Sequence, residues 1–236
     1  MIKEALQYIV GLKAPVIEEI NGQKYSDKGL NRISYIPYAD SIELSTLTSL
    51  VDYIASEIDK MKGKMIVHVV SPTEVRLYSA LDIERSRENV AVVKARVPEF
   101  EFGRFIDHEN FLINMQAKFI RNEDRDLILK FAGTVEDGTV AQYGDDGVTQ
   151  QATVKNGIAS KTDAIVPNPV ALIPYRTFIE VNQPESNFIF RMKSDRGVQC
   201  AIFEADGGAW KNDAMYHIKK YLANELEEFT DFIVIS

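Results

Sequence analysis

Apolar residues recur at helical intervals in Ile2, Leu6, Ile9 and Val10, and Gly11 followed by Pro15 supplies a stop, so the chain is expected to open with a short amphipathic helix. A turn-rich stretch follows, with Asn21-Gly22 and Asp27-Lys28-Gly29 as turn signals and Tyr25, Tyr35, Pro37 and Tyr38 among them. It reads as an irregular arm of the kind that docks on a neighbour. Ser45 then precedes Leu47, Leu50, Val51, Ile54, Ile58 and Met61, and Gly63 closes the series, which predicts a capped helix with one buried face.

From Met65 the period shortens. The runs Met65 to Val70, Glu74 to Leu81 and Asn89 to Val97 are rich in Val and Ile and are parted by Ser71-Pro72 and by a charged run at 84–88, the pattern of an antiparallel meander. Beyond Pro98, Asp107 is placed to cap a helix carrying Phe111, Leu112, Met115, Phe119 and Ile120 on one face. Asn122 through Phe131 fits a second short helix, while Leu127, Leu129 and Phe131 also fit strand alternation. Thr139 to Tyr143 and Val148 to Val154 flank Gly144-Asp145-Asp146-Gly147, a hairpin signature with polar arms. Pro167, Pro169 and Pro174 enforce an extended path. Strands are then expected at Thr177 to Val181, Phe188 to Met192 and Gln199 to Phe203, a helix at Lys211 to Glu227 and a last strand at Phe232 to Ile235. The predicted class is α+β, mainly antiparallel sheet with four to five helices: a helix and extended arm over residues 1–44 and one compact domain over 45–236.

Composition narrows the classes. The chain has 236 residues, 45% hydrophobic and 26% charged, which is globular rather than disordered or low-complexity. Its 27 Lys and Arg stand against 35 Asp and Glu, a formal net charge of −8 that opposes unaided binding to nucleic acid. Apolar runs such as Phe232 to Ile235 fall far short of the ~20 residues that span a bilayer. Met1-Ile2-Lys3-Glu4 lacks the pattern of a secretory signal, so a cytoplasmic location is expected. The one cysteine, Cys200, sits in an apolar run and reads as a small buried hydrophobe.

Candidate chemistry is sparse, and no catalytic residue is assigned. HExxH, CxxC, Gly-x-Ser-x-Gly and Walker patterns are all lacking, and His68, His108 and His217 share no metal-ligand spacing. Glu204 and Asp206 lie two apart where a strand ends at Gly207-Gly208, an arrangement that suits Mg2+ or Mn2+ in a phosphodiesterase or, more plainly, a capped turn with no cofactor. Arg176, Arg191, Lys193 and Arg196 are interleaved with Tyr175, Phe178, Phe188 and Phe190, the composition of a surface for single-stranded DNA. The proline-stiffened Pro174-Tyr175 segment, the hairpin at Asp145 and Asp146, and Tyr25, Tyr35 and Tyr38 of the arm are candidate contacts between copies of the chain.

Several motifs, among them Val70-Ser71-Pro72-Thr73-Glu74-Val75-Arg76-Leu77-Tyr78, Val166-Pro167-Asn168-Pro169-Val170, Pro174-Tyr175-Arg176-Thr177-Phe178, Gln183-Pro184-Glu185-Ser186 and Phe203-Glu204-Ala205-Asp206-Gly207-Gly208-Ala209-Trp210, together resemble the YfdQ-like family of tailed-phage and prophage proteins. Asp146-Gly147-Val148-Thr149-Gln150 belongs to the same series, and the likeness covers most of the chain after about residue 45. The family has no assigned activity. The resemblance implies a phage or prophage origin and expression in the cytoplasm of a bacterial host, possible phage or host protein partners, and placement among genes of DNA metabolism. The expected function is a non-enzymatic protein that assembles into a homo-oligomer. A single-stranded DNA-binding accessory factor and a metal-dependent phosphodiesterase are the alternatives.

Overall fold

The computed structural model of the chain describes residues 2–11, 15–20, 23–29, 38–83, 85–134, 140–145, 150–156, 160–166, 168–194 and 197–236. The chain divides between Tyr38 and Ala39 into two compact units.

In the first unit, α1 (Ile2–Gly11) is the expected opening helix. The stretch after it is more regular than its turn signals imply. Strands β1 (Ile17–Ile20) and β2 (Gln23–Ser26) form an antiparallel hairpin in which Ile17 faces Ser26. Asp27 clamps its open end, accepting from Val16 N through Oδ1 at 2.7 Å and donating its own N–H to Val16 O at 3.2 Å.

The second unit runs β3 (Ile42–Leu44), α2 (Leu47–Ser56), β4 (Met65–Ser71), β5 (Glu74–Ser79), β6 (Asn89–Lys94), β7 (Ile106–Asp107), α3 (His108–Lys118), α4 (Glu123–Thr134), β8 (Val140–Asp145), β9 (Gln150–Asn156), β10 (Ser160–Val166), β11 (Val170–Leu172), β12 (Ser186–Ser194), β13 (Val198–Glu204), α5 (Trp210–Glu225) and β14 (Phe232–Ile235). The class is α+β, mostly antiparallel. Among the described residues, no helix is long and apolar enough to cross a membrane.

The meander β4-β5-β6 is the centre of a five-stranded sheet ordered β14-β4-β5-β6-β3, whose two outer strands pair in parallel with their neighbours. Because β3 is part of this sheet, residues 42–44 lie in the larger unit and the arm ends before them. Alternation along β4 and β5 buries Met65, Val67, Val69, Val75 and Leu77 against Leu47, Leu50 and Ile54 of α2 and Ile218 and Leu222 of α5. A second core is aromatic. Phe111 and Met115 of α3 and Ile128 and Phe131 of α4 pack on Phe188, Phe190, Met192, Cys200 and Ile202 of the sheet β11-β12-β13-β7. Cys200 is fully buried there, and burial pushes its thiol up to about 12. A third sheet, β10-β9-β8, contains the expected hairpin arms and a further strand, β10, for which the sequence pattern predicts no element.

Three local expectations change for physical reasons. Helix α2 stops at Ser56, well before Gly63, because Ser56 Oγ donates to Tyr53 O at 2.7 Å and Glu57 turns left-handed at φ 51°; Ile58 is left 72% exposed. Its cap is Thr46 rather than Ser45, since Thr46 Oγ1 accepts from Ser49 N at 3.1 Å. Residues 177–181 form turns rather than a strand. The side chain of Gln183 takes the place of a sheet partner, accepting from Arg176 N at 2.9 Å and Thr177 N at 3.1 Å and donating to Phe178 O at 2.9 Å. The ambiguous stretch after Asn122 is helical, α4, with Asn122 Oδ1 accepting from Arg125 N at 2.8 Å at its start.

Candidate functional site

Of the residues singled out for chemistry, Arg176 and Glu204 meet at the stretch between β11 and β12, which ties the two cores together. At its start Tyr175 N donates to Lys118 O at 3.0 Å and Pro174 bridges to Phe119 on the aromatic side. Three residues later Phe178 is buried in the aliphatic core, followed by Val181. Thr177 Oγ1 donates to Pro72 O in the turn between β4 and β5. Glu180 Oε1 accepts from Leu47 N at 2.7 Å and Thr48 N at 3.3 Å, satisfying two of the N–H groups that the first turn of α2 leaves without a helical partner.

Arg176 is the hub of this strap and is only 7% exposed. Its Nη1 donates to Glu204 Oε1 at 3.1 Å and its Nη2 donates to Ser186 Oγ and, at 3.4 Å, to Pro184 O. The guanidinium carbon lies 4.0 Å from the Trp210 ring centroid and 5.6 Å from that of Phe188. Burial pulls the group down to about 10 against the opposing charges of Glu204 and Asp206, so Arg176 stays a cation at neutral pH. Two buried donors beside it, Arg176 Nε and Trp210 Nε1, have no hydrogen-bond acceptor.

Both carboxylates proposed for a metal have structural partners. Glu204 neutralises Arg176. Asp206 closes the turn into α5, accepting from Gly208 N at 3.0 Å and Trp210 N at 3.3 Å, while Gly207 and Gly208 supply positive φ values of 64° and 84°. Among the described residues, no group of three or more His, Cys, Asp or Glu is arranged to hold a metal ion. The histidines lie on three different elements. His68 is half-buried in β4, His108 Nε2 is 2.8 Å from Ala132 O, and His217 Nδ1 is 3.4 Å from Asn182 O.

Among the described residues, the basic side chains proposed for single-stranded DNA do not form one surface. Arg176 contacts Ser186 and Phe188, on the inward side of β12, whereas Arg191 and Lys193 have the opposite parity along that strand. Lys193 Nζ stands 4.4 Å from the Phe105 ring centroid, and Arg191 Nη1 donates to Phe190 O at 3.3 Å. Arg196 lies outside the described residues.

The proposed contacts between copies divide in the same way. Tyr25 and Tyr38 are 51% and 49% exposed, and Asp145 ends β8 opposite Gln150. Pro174 is buried, so its apolar surface belongs to the protein's own core, and Tyr175 is half-buried. Tyr35 and Asp146 lie outside the described residues.

Two open clefts flank the loop after α2, of about 440 Å³ and 480 Å³. In the second, Tyr53 donates its hydroxyl to Asp59 Oδ2 at 2.5 Å, and burial, then Asp59 and Glu88, push the phenol above its usual range. Neither cleft places a Ser, Cys or Thr nucleophile beside a histidine.

Sequence reasoning missed the Arg176–Glu204 pair and the helix-capping role of Glu180, since both join residues distant along the chain. The available signal for the first was an arginine in an otherwise apolar, proline-framed segment. No protein-family model, curated protein or solved structure matches the chain.

Proposed function

We propose that this chain is a non-enzymatic subunit, encoded by a phage or prophage and acting in the cytoplasm of its bacterial host, whose role is to associate with copies of itself. The observation that carries this is the state of the N-terminal unit. Among its described residues, large apolar side chains face water: Leu6 is 56% exposed, Tyr8 71%, Val16 54%, Ile17 59% and Ile20 52%. A ten-residue helix and a hairpin with four-residue strands are each marginal in water unless an apolar face is covered. A second copy supplies such cover, and assembly through exposed arms needs no catalytic group. The phage or prophage origin rests on the resemblance to the YfdQ-like family.

Light scattering coupled to size exclusion tests the proposal on the full chain. The expected result is a discrete mass at an integer multiple of 26.7 kDa. Leu6→Asp with Ile17→Asp is expected to lower that mass while leaving the thermal midpoint of the larger unit unchanged. A wild-type mass of 26.7 kDa at micromolar concentration overturns the proposal.

A further inference from the structure

Strand β14 (Phe232–Ile235) forms one edge of the five-stranded sheet, and among the described residues no strand pairs with its far side. Most edge strands are guarded by a charge, a proline or a bulge. This one reads Phe-Ile-Val-Ile and carries none, whereas β3 at the opposite edge carries Glu43.

The backbone direction of β14 follows from one hydrogen bond and the strand register. Met65 N donates to Asp231 O at 2.8 Å while Phe232 stands opposite Met65, which turns the N–H and C=O groups of Ile233 and Ile235 toward β4. Those of Val234 face the open edge, with the C=O of Phe232 and the N–H of Ser236. The N–H of Phe232 is already occupied by Phe229 O at 2.9 Å.

These open groups are self-complementary. We infer that two copies of the chain join antiparallel through β14, about a two-fold axis at Val234, to make one continuous ten-stranded sheet. In that register the Val234 residues of the two copies exchange both backbone hydrogen bonds, and each Ser236 N–H reaches the Phe232 C=O of the other copy. A shift by one residue places the inward side chains of one copy on the outward face of the other, so the pairing is restricted to registers that keep the faces matched. An isologous contact of this kind closes on itself.

The side chains fit the same register. Ile233 and Ile235 are 49% and 41% exposed on the face turned away from α2 and α5. Across the axis Ile233 of one copy stands opposite Ile235 of the other in a non-hydrogen-bonded pair, with Cα atoms about 4.5 Å apart. Four isoleucines then form one apolar patch with no charge among them, which matters for chains that each carry a net charge of −8. A four-residue edge is smaller than a self-sufficient interface. The joint therefore rests on the self-association proposed above and specifies where two subunits meet.

Two variants of the full chain test it. Val234→Pro removes the outward N–H while keeping the bonds of Ile233 and Ile235 to β4, and the expected result is a fall of about twofold in the assembly mass. The double variant Ile233→Cys with Ile235→Cys places thiols across the joint at a separation a disulfide spans. Cys200 is buried and does not compete. Mild oxidation is expected to give a covalent dimer on non-reducing electrophoresis, and Ile233→Cys alone is not. An assembled wild type, an unchanged mass in Val234→Pro and no cross-link overturn the joint while leaving self-association standing. A monomeric wild type overturns both. If Val234→Pro fails to fold, the cross-link in the cysteine variant decides.

Discussion

The arm and the larger unit are built from the same kinds of amphipathic element and differ in what covers them. Helix α1 and the β1–β2 hairpin satisfy their backbone locally, as Ile17 to Ile20 pair with Gln23 to Ser26, yet Leu6, Ile17 and Ile20 are all more than half exposed. In the larger unit α2 has a comparable apolar stripe, but Leu47 and Leu50 are fully buried and Ile54 is 2% exposed because a sheet and α5 close over them. Hydrogen bonding shapes an element, and burial supplies most of the free energy that holds it. An element with the first and without the second depends on a surface outside itself.

This contrast is sharpest under truncation of a core side chain. Phe190 is fully buried between Phe111 and Phe131, with ring centroids at 5.7 Å and 5.8 Å. Phe190→Ala is expected to cost about 3–5 kcal/mol in the urea unfolding of the larger unit, whereas Ile17→Ala in the arm is expected to change that same transition by no more than about 0.5 kcal/mol. Equal costs would break the distinction between the two units.

Next in size is the strap that ties the two cores. Arg176→Ala removes the cation from between the Trp210 and Phe188 rings and strips Glu204 of its partner. Its expected cost is about 2–3 kcal/mol, below the range for a wholly buried pair because Glu204 reaches solvent. Arg176→Lys is not expected to restore the loss, since an ammonium cannot stack and fork in the same way. A midpoint for Arg176→Ala equal to wild type would mean that the strap is held by Phe178 and Glu180 alone.

The smallest expected effect is a titration. Asp107 caps α3, accepting from Asn110 N at 3.0 Å and from Asn110 Nδ2 at 2.7 Å, and the backbone bond first, then the side-chain bond, hold its carboxyl below the usual range. A carboxyl lowered by folding contributes stability above its unfolded value, near pH 4, and loses it as pH falls through the folded value. Asp107→Asn keeps a capping oxygen without the charge. Between pH 5 and pH 3 it is expected to lose slightly less stability than wild type, the difference being small because Asp107 is exposed and solvent screens its charge. Parallel acid limbs for the two proteins would exclude this contribution.

Elements with a single periodicity were legible in the sequence. The meander β4-β5-β6, the helix capped by Asp107 and the final helix are where the apolar spacing places them, because one buried face dictates one period. The strap was misread as strand at 177–181 because Thr, Phe, Ile and Val there have high strand propensity. Gln183 takes up its backbone groups, and no local pattern announces that. The partners of the candidate residues were hidden for a related reason. Arg176, Glu204 and Asp206 were visible as charged residues in unusual surroundings, but their partners stand up to 28 residues apart in sequence.

The sequence by itself determined the α+β class, the order of the meander and flanking helices, and the burial of Cys200, since these follow from local periodicity and from the cost of exposing apolar side chains. Only the tertiary structure decided that Glu204 neutralises Arg176, that Glu180 caps α2 from 132 residues away, and that β14 returns to pair in parallel with β4. Those outcomes depend on which chain segments the two cores bring together in space. Pairing of that kind is a property of packing, to which composition and spacing along one chain are blind.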